Sequence, residues 1–153
     1  MKKCLSFFTR NLKTKIVTLA LGLMIYAGLQ VMSMTVLKNA YMFEWMGRNC
    51  YCYTWVLVIL LVLVDKTLVA NFVTFGTLLG VVIGELLGNI LWERNMSKIT
   101  SDMSVEQQHY LSLHHGVLIF VITLLKFVAM GVILDIILRK YKQRMAQNSK
   151  ECF

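Results

Sequence analysis

Between residues 76 and 88 the chain reads GTLLGVVIGELLG, with Gly76, Gly80, Gly84 and Gly88 at four-residue intervals inside an apolar run. Glycine weakens a helix in water by roughly 1 kcal/mol relative to alanine, so four in one segment need a compensating gain. A bilayer supplies it, because a stripe without side chains lets a neighbouring helix backbone approach closely enough for dense van der Waals contact. Each four-residue step drifts by only about 40° around the helix, so the four glycines share one face. Glu85 lies about 120° from the middle of that stripe, on a second face with Asn71, Thr74 and Asn89.

The rest of the composition agrees with a bilayer as solvent. Of the 153 residues 58% are hydrophobic and 16% charged, too apolar a balance for a soluble domain of this length. The net charge of +8 raises nucleic acid as a partner, but the basic residues lie outside the apolar spans except for Lys126, and most sit near the two ends of the sequence. That distribution sets orientation and favours anionic lipids, and it excludes a nucleic-acid groove. Proline is absent, which predicts straight spans. No phosphate-binding glycine loop, nucleophile elbow or zinc-protease histidine pair is present, so the expectation is a non-enzyme with no cofactor.

Four apolar runs predict an all-α, polytopic four-helix membrane bundle. Residues 1–15 form a basic amphipathic lead-in, 16–37 the first span, 38–46 a loop and 47–64 the second span. Asp65 and Lys66 open a turn over 65–71, with Asn71 as a cap for the third span at 72–92. Residues 93–114 form a second loop in which Ser104-Val105-Glu106-Gln107 fits a capping box, and the helix it starts is expected to run through His109, His114 and His115 into the fourth span, 115–138. A basic tail, 139–153, follows. Five Lys or Arg precede the first span and five follow the last, against two in residues 38–49 and two in 93–114, which predicts both termini in the cytoplasm of a plasma or other cytoplasmic membrane.

Two constellations carry candidate chemistry. A carboxylate near mid-bilayer costs at least a few kcal/mol unless neutral or paired, and Lys126 near the middle of the fourth span is the cation within reach of Glu85. Such a pair either fixes helix register or lies on a proton or cation path, and Tyr26, Gln30, Ser33, Asn89, His115 and Thr123 would join it in a polar interior. A third possibility is that Lys126 faces a partner protein. The second constellation is Cys50 and Cys52 with His109, His114 and His115, ligand types for a metal on the outer side, although their spacing is not that of a structural zinc site.

The function expected from these features is that of an accessory or assembly subunit, docking a larger membrane partner through the glycine face. A small homo-oligomeric transporter or channel built on Glu85 and Lys126 is the alternative, and an outer-side metal-binding protein the third.

Overall fold

The computed structural model describes residues 2–49, 51–100 and 102–151. They form six helices and no strand: α1 (Lys2–Met34), α2 (Tyr41–Arg48), α3 (Cys52–Leu63), α4 (Thr67–Met96), α5 (Val105–Ser112) and α6 (Gly116–Glu151). Three helical segments, Leu12–Met34, Thr67–Met96 and Gly116–Met145, are long and apolar enough to cross a membrane, and α2 with α3 makes a fourth if that bent pair is one span.

The stretch expected to form the second span, 47–64, departs from the straight helix that the absence of proline predicts. At about 1.5 Å per residue, α3 alone covers roughly 18 Å, well short of a hydrocarbon core. Between α2 and α3 the axis turns by 63°. Tyr51 stands at the break with φ 52°, a left-handed conformation that costs a side-chain-bearing residue about 1–2 kcal/mol. Tertiary packing holds it there: the Tyr51 ring is buried beside Tyr26, with centroids 6.2 Å apart, and its hydroxyl shares a 2.9 Å hydrogen bond with Ser33. The helix therefore breaks at a buried tyrosine.

The next turn is tighter than the expected 65–71. Asp65, at φ 60°, ends α3 in a Schellman arrangement, its N–H bonding Val62 O while the Lys66 N–H bonds Leu61 O. Thr67 already opens α4, so Asn71 lies inside the helix rather than capping it.

α4 is the hub, touching every other helix, whereas among the described residues α6 packs only on α4 and, at one end, on α2. Buried residues make up 50% of the most apolar stretch of α4 and 11% of that of α6. The core lies where α1, α2, α3 and α4 meet, around Tyr26, Met42, Tyr51, Val58, Val73 and Val81, and Phe120 reaches it from α6.

Candidate functional site

The glycine face of α4 is filled by α6 of the same chain. A Cβ on Gly76 would lie 2.7 Å from Phe127 Cβ, one on Gly80 2.9 Å from Phe120 Cδ2, and one on Gly84 2.9 Å from the Gly116 carbonyl oxygen. At Gly88 it would meet the His114 ring and lie 2.9 Å from Gly116 Cα. Residues that pair as 76 with 127 and 84 with 116 run antiparallel, and that register sets Lys126 near the level of residue 75. Glu85 is about ten residues, or ~15 Å, further along the axis.

The expected pairing of Glu85 with Lys126 is therefore not what the structure shows. Glu85 Oε2 accepts the Met42 N–H at 2.7 Å, and Oε1 accepts from Asn89 Nδ2 at 2.8 Å. Met42 is the second residue of α2, whose N-cap, Ala40, has no side-chain oxygen to offer. A carboxylate from α4 thus serves as the missing cap and meets the positive end of the α2 dipole. Lys126 is exposed on α6 and has no hydrogen bond or ion pair among the described residues.

The network continues from Asn89 to the chain before α6. Asn89 Oδ1 lies 3.0 Å from His114 Nε2, while His114 Nδ1 accepts the Gly116 N–H at 3.1 Å. Because Nδ1 accepts, the imidazole is neutral with its proton on Nε2, which donates to Asn89. Burial holds the His114 pKa below its ordinary value and the neighbouring His115 adds to this, against an upward pull from Glu85. The Tyr41 ring packs against this imidazole at 4.0 Å between centroids. Drawing His114 inward breaks the helix that was expected to continue: the capping box of Ser104 and Gln107 forms, but α5 stops at Ser112, Leu113 is extended, and α6 begins afresh at Gly116. A cleft of about 570 Å³ opens here, between Asn39 and Tyr41 on one side and Glu85, Asn89, Trp92 and His109 on the other.

At the opposite end of α4 the charges pair with one another. Lys15 of α1 bonds Asp65 at 2.7 Å, and Lys66 bonds Asp135 of α6 at 2.6 Å. Arg139, one turn on, reaches the same Asp135 carboxylate at 3.0 Å. From Lys66 to Glu85 is nineteen residues, about 28 Å of helix, close to one hydrocarbon thickness. On that scale Glu85 stands at the far boundary of the apolar zone rather than at its middle.

The other expected polar residues divide between locations. The Tyr26 hydroxyl donates to Thr77 Oγ1 at 3.3 Å, Gln30 Nε2 to the Gly47 carbonyl at 3.2 Å, and the Ser33 hydroxyl to the Leu29 carbonyl at 2.8 Å. The first two join α1 to α4 and α2 and the third lies within α1, a cluster separate from Asn89. His115 has a buried Nδ1 without a partner, and Thr123 is half-buried on α6; neither reaches the α1 cluster through a hydrogen bond among the described residues. Sequence reasoning missed Met42, Tyr51 and Thr77, because a backbone N–H and two buried hydroxyls gain their roles only when distant helices meet.

The four described members of the expected metal set, Cys52, His109, His114 and His115, form no cluster that could hold a metal. Among the described residues no three His, Cys, Asp or Glu side chains converge on one point, and Cys52 is an exposed free thiol at the start of α3. His114 has both ring nitrogens engaged already. Cys50, together with the side chains of residues 2–11 that carry most of the amphipathic lead-in, lies outside the described residues.

No protein-family model matches the chain, and neither a curated protein nor a solved structure is significantly similar to it.

Proposed function

We propose that this chain is an accessory or assembly subunit of a larger membrane complex, with α6 rather than the glycine face of α4 as its outward docking element. The observation that carries this reading is the contrast between α4, buried on several sides, and α6, the most apolar of the three long helices and yet the least covered. Leu118, Leu125, Ile133 and Ile137 are each more than half exposed on it. Lipid can cover such a face, but so can another helix at similar cost, and the glycine face is already occupied.

The proposed topology has four crossings, with α2 and α3 counted as one broken span and both termini cytoplasmic. Lys15, Lys66 and Arg139 gather at one end of the bundle through their ion pairs, which brings the start of the apolar part of α1, the α3–α4 turn and the basic continuation of α6 to a common side. The positive-inside rule assigns that side to the cytoplasm of a plasma or other cytoplasmic membrane, where its cations meet anionic headgroups. A proton or cation path through Glu85 and Lys126 has less behind it, since the two lie ~15 Å apart along the axis and fully buried Val58, Val62, Val73 and Val81 fill the space between the ends.

Gentle extraction from the native membrane followed by native mass measurement tests the subunit reading. The expected result is a stoichiometric complex with a larger membrane protein. A monomer or a pure homo-oligomer, recovered from a preparation in which other labile complexes survive, would refute it.

A further inference from the structure

Among the described residues, Lys126 is the one charged residue of α6 that the fold leaves without a counter-ion inside the apolar zone. It stands nine residues from Asp135 and ten from Gly116, about 14 and 15 Å from the two ends of that zone. Its four-carbon stem falls well short of either boundary, so the ammonium cannot reach the headgroups by snorkelling. An unpaired charge at that depth is costly enough to mark a site.

Nothing among the described residues satisfies it. Asp135 is held by Lys66 and Arg139, Asp65 by Lys15, and both Glu85 oxygens are engaged ~15 Å away. Of the remaining acidic residues, Glu44, Asp102 and Glu106 fall outside the long apolar helices, Glu93 lies near the end of α4, eight residues beyond Glu85 and further still from Lys126, and Glu151 lies in the tail. A second copy of this chain, parallel or antiparallel, therefore brings no carboxylate to the level of Lys126. Around the lysine, Ile122, Leu125, Ala129, Met130 and Ile133 are all exposed, and Ala129, three residues on, leaves room for close approach.

We infer that the Lys126 face of α6 docks a transmembrane helix of a different protein, one that carries a carboxylate at mid-membrane depth. This rests on the subunit reading and specifies both the docking face and the chemistry of the partner. Charge complementarity in hydrocarbon supplies the selectivity: the partner's acid and Lys126 are each costly to insert alone and neutralise each other when paired. The apolar residues beside Lys126 then pack against the same helix.

The test uses the full-length protein in phosphatidylcholine vesicles, with energy transfer to a labelled model helix of roughly 20 leucine and alanine residues that carries one central glutamate. The expected association is about tenfold stronger than for a twin helix with leucine at the centre. Lys126→Arg keeps that preference, and Lys126→Met abolishes it. Moving the glutamate to the end of the model helix abolishes it as well. Because Lys126 is exposed and unpartnered, Lys126→Met should melt no lower than wild type in detergent, which separates lost docking from lost folding. Equal binding of the two model helices, or a glutamate preference that survives Lys126→Met, overturns the assignment. So does self-association of the chain that is indifferent to the glutamate helix, which would give this face to a second copy. A native complex that survives Lys126→Met also overturns it, while leaving the subunit reading intact.

Discussion

The two ends of α4 hold their acidic residues by different means. At one end Asp65 and Asp135 meet Lys15, Lys66 and Arg139, and every partner is a side-chain cation. At the other Glu85 meets a helix N-terminus and an amide, with a neutral imidazole beyond. The chain concentrates cations at one end and uses backbone dipole at the other, so it stabilises carboxylates at both without placing cations around the second. Ion pairs of partly exposed groups are weak and screened by salt, whereas the half-buried Glu85 is held by hydrogen bonds from a backbone N–H and an amide that salt screens less.

The largest effect should come from removing the cap. Glu85→Ala leaves the Met42 N–H and the Asn89 amide unpaired and should cost about 2 kcal/mol, read as a fall in the melting temperature of the detergent-solubilised protein. The loss should be the same at low and high salt. A strong salt dependence would place Glu85 in the same class as Asp135 and erase the contrast between the ends.

Asp135→Asn should cost less, about 1 kcal/mol at low ionic strength, because its partners Lys66 and Arg139 are 36% and 53% exposed. Raising the salt should shrink the difference from wild type. A loss that persists in molar salt would show that Asp135 is held by geometry rather than by charge.

Acidification should act on the Glu85 end and least strongly of the three. The His114 pKa is lowered in the folded chain by burial. At pH well above 6.5 neither the folded nor the unfolded chain holds that proton, and there is no effect; as the pH falls below 6.5 the unfolded chain binds it first, so stability is lost. His114→Gln should flatten this part of the pH profile, measured by thermal melting between pH 7 and 5. A profile unchanged by the substitution would assign the acid sensitivity to another group.

What the sequence makes legible here is what short-range chemistry decides. Apolar runs of membrane length, the close approach that the four glycines permit, and the capping box of Ser104 and Gln107 all follow from neighbours in the chain. The partner of the glycine face, the register that separates Glu85 from Lys126, and the break at Tyr51 depend on contacts between helices. No local signal marks Tyr51 as left-handed, because a tyrosine takes that conformation only when its buried ring and hydroxyl repay the strain. Lys126 is legible as a charge in a span, but that no carboxylate lies beside it becomes visible only when the helices are placed.

The cap on α2 has a consequence for how the chain is made. Eight residues are too few for a helix to persist alone, and the carboxylate that receives the Met42 N–H is 43 positions further along the chain. During synthesis α2 therefore leaves the ribosome well before its cap exists. Its N-terminus must wait until α4 has been inserted, and Glu85, in the second half of that helix, then closes a structure begun two helices earlier.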